Sequence, residues 1–433
     1  MNNTPNEPTR QTNRQRNDGI RTRSKHTLHT RQENQVQTRT GRTPAKREAP
    51  LPAEHTPEKI IRYKGTCDRG FLALVLILIC FGSVMVFSAS YAYSMSQDPG
   101  NGYLYISRQI MYVLIGLVAM FFVSRLEPEV IRKATPLAYW ITIGLLLLVF
   151  VIGTVGGGAK RWIVIAGISV QPSEIAKVTL VMMLALHYEK YSQKVLDSSN
   201  LKENISYGLL RPLFYVGLVC ILVALEKHLS GTIILFLIGI VVIWSGGANK
   251  KAILIPGIVG GSLLAIIALL VPYTRRRIDI WLDPTKDITG SGWQTIQGLR
   301  AIGSGGLLGL GPTNSRQKHM YVSQPQNDFI FSILCEELGF VGAIAVIILF
   351  IVLIIKGYGI AMKAPDTFTS LVVTGIVSKV GIQAAFNMGV VTNILPNTGI
   401  SLPFFSYGGS STVVLLIEMG IVLSISRFSR QDR

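Results

Sequence analysis

Charge is scarce in this chain. Asp, Glu, Lys and Arg make up only 15% of its 433 residues, against about 25% in a soluble protein. With hydrophobic residues at 49% and a mean hydropathy of +0.41, that scarcity excludes an ordinary soluble domain. The little charge present is mostly of one sign, 42 Lys and Arg against 24 Asp and Glu. Much of the excess lies in the first 64 residues and in short loops between apolar runs, where a membrane protein keeps its inward-facing cations. It is therefore not read as a nucleic-acid surface. Cysteine is nearly absent. Cys67, Cys80, Cys220 and Cys335 have neither disulfide nor zinc spacing and read as small buried hydrophobes. A cleavable signal is also lacking, so the first apolar run is expected to serve as an uncleaved anchor. What the chain does have is apolar runs of about 20 residues, the length of an α-helical membrane span.

The predicted fold is an all-α polytopic membrane protein with about ten spans. Residues 1–66 are rich in Asn, Thr, Gln, Arg and Pro and form a basic, disordered cytoplasmic tail. That tail reads either as a solvated segment fixing topology or as a docking arm for a partner. Residues 67–433 form the transmembrane domain. Its spans are expected at 71–92, 106–123, 136–153, 172–188, 209–225, 231–244, 252–271, 328–355, 368–391 and 410–425. Counting from an inward N-terminus places five basic segments inside, the C-terminal one among them. The same count places 156–168, 272–327 and 393–409 outside, and two of these carry cations. Lys160 and Arg161 lie in the first, and Arg275, Arg276, Arg277, Lys286, Arg300, Arg316 and Lys318 in the large loop 272–327. Long loops translocate regardless of charge. The functional alternative is an anion site for phosphate or pyrophosphate.

Three carboxylates open the eighth span: Asp328, Glu336 and Glu337. A charge at the bilayer centre costs about 2.5–3.5 kcal/mol even on a mild scale, so each needs a partner or a role. Asp328 follows a polar loop, and is read either as a helix N-cap or as a general base at a semi-dry site. Glu336 and Glu337 lie about 12 Å deeper by helical rise. Lys379, mid-span in the ninth helix, is the expected partner of one of them. Glu174 and Lys177, three apart, are neighbours on one helix face. Glu226 and Glu418 have no partner assigned by pattern. The Gly-rich stretch 298–311 lacks the Gly-Lys-Ser/Thr ending of a phosphate loop and reads as re-entrant backbone packed close to helices. The segment 399–411, with its prolines and glycines, is either an outer turn or part of the lining of the same cavity.

These residues carry a resemblance. Gly292-Trp293-Gln294 through Gly305-Gly306, then Gln317-Lys318 and Asp328-Phe329-Ile330-Phe331 with Glu336-Glu337-Leu338-Gly339, are similar to the SEDS family of cell-wall polymerases (FtsW, RodA, SpoVE). So are Ala159-Lys160-Arg161-Trp162 with Gln171-Pro172-Ser173-Glu174 and Lys177, and Ser406-Tyr407-Gly408-Gly409-Ser410-Ser411 after Asn387. The resemblance covers roughly residues 71–427. Two departures show. Gln324 stands where members carry a glutamate, and His228-Leu229-Ser230-Gly231-Thr232 stands where many read Pro-Asp-Leu-Gly-Thr.

The resemblance implies a ten-helix fold and a peptidoglycan glycosyltransferase that polymerises lipid II at the outer face of the bacterial cytoplasmic membrane. It implies Asp328 as the catalytic residue and Trp162, Lys160 and Arg161 as substrate contacts; the loop cations Arg276, Arg300 and Lys318, with Ser410, complete the expected substrate site. It also implies a class B penicillin-binding protein, a transpeptidase, as partner, with other divisome proteins nearby. A divalent cation (Mg or Mn), with Asp328 as candidate ligand, is the cofactor expected, and no organic one. The long basic tail leans the reading towards the division branch. Two other readings stay open: a lipid II flippase, and a non-catalytic scaffold that activates a transpeptidase.

Overall fold

The computed structural model describes residues 63–429 except 157–158, 166–167, 197–200, 250–253, 255–256, 263–265, 267–269, 271 and 288–289. The tail expected over 1–66 lies almost wholly outside the described residues, as does most of the span expected over 252–271.

The chain is a helical bundle. Helices α1 (Arg69–Gln97), α2 (Leu104–Arg125) and α3 (Pro128–Ile152) come first. A three-stranded antiparallel sheet follows, with β1 (Thr154–Gly156), β2 (Ala159–Ile165) and β3 (Ile168–Val170) in the order β1-β2-β3. Then come α4 (Pro172–Lys190), α5 (Arg211–Leu225) and α6 (Leu229–Ser245). Past the interrupted description lie α7 (Pro272–Leu282), α8 (Ser291–Gly305), α9 (Ile330–Met362), α10 (Thr367–Val391) and α11 (Gly409–Ser426). Among the described residues seven helical segments are long and apolar enough to cross a membrane, the one that ends in α5 running over 202–225, and α6 is a shorter apolar helix. Helix α4 fills the fourth expected span although Glu174 and Lys177 dilute its hydropathy. These nine helices match nine of the ten expected positions.

Local chemistry sets the helix ends. The Asp68 carboxylate accepts from the Phe71 N–H at 2.8 Å and caps α1. Pro172 opens α4, where its missing N–H costs nothing, and Glu174 lies in the first turn. Asp366 and Thr369 close a reciprocal capping box on α10. At the same level Arg132 of α3 meets Glu129, Glu189 and Asp366 at 2.6, 2.9 and 2.7 Å, tying three helices together. The apolar core runs through the bundle, with α4, α10 and α11 its most buried helices.

The large loop 272–327 is built around two helices. It contains α7 and α8, and the glycine-rich segment after α8 inserts into a break in α9. At Gly339 the helix adopts φ 67° and ψ −166°, a conformation close to glycine-only. The carbonyls of Glu336 and Glu337 accept from the N–H groups of Leu310 and Gly311 at 2.9 and 3.0 Å. In turn the N–H groups of Phe340 and Val341 donate to Gly306 and Leu307 at 2.9 and 3.1 Å. The re-entrant strand thus replaces the helical bonds that the break removes, as buried backbone requires. A Cβ at Gly309 would fall 2.2 Å from the Glu337 carbonyl, so the insertion depends on glycine there.

The buried charges choose partners other than those expected. Lys379 pairs with Glu418 of α11, its Nζ 2.9 Å from both carboxylate oxygens, and not with Glu336 or Glu337. Glu337 is taken by Lys318 (2.9 Å) and Ser88 (2.6 Å). Glu336 accepts from the Ser304 and Ser315 hydroxyls and from the N–H groups of Arg316 and Gln317, and so anchors the loop after the insertion. The Glu174–Lys177 pair forms as expected, at 2.7 Å.

Candidate active site

A cavity of about 440 Å³ gathers β2, the start of α4, the α5–α6 turn, the residues before α9 and the loop before α11. Its lining includes Arg161, Trp162, Glu174, Lys177, His228, Asp328, Gln383 and Tyr407. Residues more than 200 positions apart thus converge on one volume.

Asp328 is held by its backbone. The Asn387 amide donates to the Asp328 carbonyl and to the Ile400 carbonyl, each at 2.7 Å. On one side Ser406 donates to the Asn327 carbonyl at 2.8 Å, and the Tyr407 N–H donates to Gln326 at 2.8 Å. The segment 326–328 is therefore stitched to the loop before α11. Gly399, with φ 69°, sits against the carboxylate: a Cβ there would lie 3.3 Å from Asp328 Oδ2. The N-cap position of α9 is Phe329, with no side-chain cap bond, so Asp328 does not cap that helix. Its carboxyl is free to face the cavity. Burial raises it above the ordinary carboxylate range, with the Arg277 charge pulling the other way.

Opposite chemistry lines the rest. Trp162 and Arg161 come from β2, whose Trp162 pairs with Thr154 in an antiparallel register. Arg161 also donates to the Lys227 carbonyl in the α5–α6 turn. Lys177 reaches both Glu174 (2.7 Å) and Gln383 (3.3 Å). His228 Nδ1 lies 3.3 Å from Ser173 Oγ. Burial, with Arg161 adding to it, pushes the His228 imidazole down to about 3, so the ring is neutral.

Several expected substrate contacts lie elsewhere. Lys318 is buried, bound to Glu337, Ser88 and the Thr313 carbonyl (2.6 Å), because the intramembrane carboxylate needs a cation more than a distant ligand does. Ser410 accepts from the Gln171 N–H at 3.2 Å and joins α11 to α4, while its neighbour Ser411 lines the cavity. Lys160 and Arg300 are exposed and outside the lining. Arg276 is exposed, 3.5 Å from Asp287. The sequence assigns no role to His228, Gln383 or Asn387: the first stands only as a departure from a motif and the last only as part of one.

Among the described residues no three or more His, Cys, Asp or Glu side chains gather to hold a metal ion. Asp328 is the one cavity carboxylate without a paired lysine on its own helix turn. A magnesium-like ion is commonly held by one carboxylate with substrate phosphates and waters. The donor set fits an ion of that kind and not an all-protein cage.

The model of the cell cycle protein family of FtsW, RodA and SpoVE matches residues 68–431. The chain is 37% identical over 369 residues to the stage V sporulation protein E of Bacillus subtilis, covering 85% of this chain and 99% of that one. It is 38% identical over 363 residues to the probable peptidoglycan glycosyltransferase FtsW of Geobacter sp. strain M18, covering 83% and 96%. A solved chain described under "Structural coordination of polymerization and crosslinking by a peptidoglycan synthase complex" superposes with a TM-score of 0.69 at 28% identity, covering 83% of this chain and 98% of that one. With the family model spanning most of its length, the chain belongs to the FtsW/RodA/SpoVE family of cell cycle proteins.

Proposed function

We infer that this chain is a peptidoglycan glycosyltransferase that polymerises lipid II into glycan strands during cell division. It would do so at the outer face of the bacterial cytoplasmic membrane, with both termini inside. The relatives named as glycosyltransferases and the synthase complex support the activity. The observation that carries the mechanism is Asp328, a carboxylate braced by Asn387 and facing a cavity lined by Arg161, Lys177 and Trp162.

In the proposed reaction Asp328 takes the proton of the acceptor sugar's 4-hydroxyl. That oxygen forms a bond to the anomeric carbon of the growing glycan. The anomeric C–O bond to the diphosphate breaks, and lipid diphosphate leaves with the electron pair. Cationic side chains lining the cavity stabilise the charge that develops on it. A divalent cation, where bound, would add charge neutralisation at the diphosphate, with Asp328 as its protein ligand.

A class B transpeptidase is the proposed partner, in keeping with the coordination of polymerisation and crosslinking described for the structural relative. Other divisome membrane proteins are proposed around it. A flippase reading asks for an unpaired intramembrane lysine, and Lys379 is closed by Glu418 instead. The test is lipid II polymerisation in proteoliposomes, with and without the transpeptidase. Wild type should yield strands, and Asp328→Ala and Asp328→Asn should lose about 10²–10⁴-fold in rate. Strands formed at the wild-type rate by Asp328→Asn would remove the base. No strands from wild type, even with the partner, would move the assignment to the flippase or scaffold.

A further inference from the structure

The α5–α6 turn brings to the cavity a histidine to which the proposed reaction gives no part. His228 lines the same volume as Asp328. Its backbone is fixed, because its carbonyl accepts from both the N–H (3.0 Å) and the hydroxyl (3.1 Å) of Thr232. Its ring is fixed too. It lies over Gly231, where a Cβ would come within 2.7 Å of Nδ1. On its outer side Nδ1 meets the Ser173 hydroxyl at 3.3 Å.

A neutral imidazole carries one ring proton. The Ser173 hydroxyl can donate to Nδ1, and in that tautomer the proton sits on Nε2. Nε2 has no hydrogen-bond partner among the described residues, so it is a donor left for whatever enters the cavity. The charges that act on the ring are two cations and one carboxylate. Arg161 comes from β2, and Lys177 and Glu174 come from α4. Glu174 is neutralised by Lys177 at 2.7 Å. Arg161 is tied to the same turn through the Lys227 carbonyl. The wall therefore combines a fixed N–H donor with a guanidinium and an ammonium, a set that suits phosphate oxygens.

We propose that His228 is a substrate-binding residue for the diphosphate of the lipid-linked donor, contacting a phosphate oxygen through Nε2–H beside Arg161 and Lys177. This rests on the polymerase reading, and it divides the cavity. The diphosphate end of the donor lies against the α4 and α5–α6 wall, and the acceptor hydroxyl lies at Asp328.

Two isosteric variants separate the contact from a structural role. A glutamine amide nitrogen reaches the place of Nε2, whereas an asparagine amide nitrogen reaches only the place of Nδ1. Purified wild type, His228→Gln and His228→Asn are compared for lipid II polymerisation. Binding of undecaprenyl diphosphate and undecaprenyl monophosphate is measured in parallel on the Asp328→Ala background, where no turnover interferes. The expected result is about a tenfold rise in KM for His228→Asn with a smaller change in kcat, and near-wild-type KM for His228→Gln. Diphosphate binding should weaken about tenfold in the asparagine variant, and monophosphate binding much less. The reverse pattern, with asparagine sufficient and glutamine not, would show that the Ser173 contact is what matters and overturn the proposal. Equal diphosphate binding by all three would overturn it as well. Absence of strands from wild type would fail the polymerase reading, while the binding arm would still decide the diphosphate site.

Discussion

The side-chain amide of Asn387 donates to the main-chain carbonyl of Asp328 at 2.7 Å, bridging it to the Ile400 carbonyl at the same distance. One buried carboxamide on α10 thereby sets the position of the candidate base. Replacing it with Ala leaves two carbonyls without their donor, at about 1–3 kcal/mol each. A displacement near 1 Å at a reacting group costs about 100-fold. Asn387→Ala is therefore expected to lose more in kcat than in KM and to melt at lower temperature. Polymerisation at the wild-type kcat by a destabilised Asn387→Ala protein would show that Asp328 is positioned by other contacts.

Asp328 works as a base only when ionised. Burial raises its carboxyl, and Arg277 opposes that rise. The acidic limb of the kcat/KM profile should then lie above about 4, the ordinary aspartate range. Activity falls as pH drops through it. Arg277→Met removes the opposing charge and should move the limb to higher pH. Arg277 also donates to the Asn397 carbonyl at 2.6 Å, so an overall loss of rate accompanies the shift. A pH–rate series on both proteins measures it, and an unmoved limb would assign the titration to another group.

Much of this site is legible in the sequence. Hydropathy locates the spans because burial in lipid constrains every residue of a helix. Asp328, Arg161, Trp162 and the Glu174–Lys177 pair stand in local motifs, and the cavity contains all five. Partner choice among distant charges is another matter. Lys379 meets Glu418 across 39 positions, and Ser88 meets Glu337 across 249, through helix rotations that no local pattern encodes. Lys318 reads as an outward cation because its loop is long and polar. Only the insertion of that loop into α9 carries it down to Glu337. The sheet 154–170 is short, and Trp162-Ile163-Val164-Ile165 is a brief apolar run with no polar alternation to mark it as a strand.

The Lys379–Glu418 pair is fully buried, and its two members should be non-additive. Lys379→Met alone leaves a carboxylate in the core and should destabilise by about 3–5 kcal/mol. Adding Glu418→Gln removes the orphaned charge and should restore most of that loss. Thermal unfolding of both single variants and the double variant in detergent measures the coupling. Additive losses would mean that water or another cation reaches Glu418 in the single variant.

Gly339 holds the break in α9 with φ 67° and ψ −166°. A side chain there costs about 1–3 kcal/mol in backbone strain. Its Cβ would also fall 2.3 Å from the Gly309 nitrogen, inside the inserted segment. Gly339→Ala should displace the insertion, free the anchor at Glu336 and expose the loop that leads to Asp328. Limited proteolysis within 306–320 should accelerate, and the melting temperature should fall. Unchanged cleavage would show that α9 absorbs the residue by local rotation.

Glu226 follows the last residue of α5 with 3% of its surface exposed, and among the described residues neither carboxylate oxygen has a hydrogen-bond partner. Burial pushes it up to about 8, against the pull of the Arg161 charge. In the unfolded chain a glutamate ionises near 4.3. Between those values the folded protein holds a proton that the unfolded chain has released, so stability falls as pH rises across the window. Below about 4.3 and above about 8 this group contributes no slope. Glu226→Gln removes the titration and keeps the shape. The variant should match wild type near pH 4 and exceed it by on the order of 2–4 kcal/mol at pH 9. Melting temperatures across that range test it. Parallel curves for the two proteins would mean that Glu226 stays ionised in the fold, with Arg161 neutralising it at every pH.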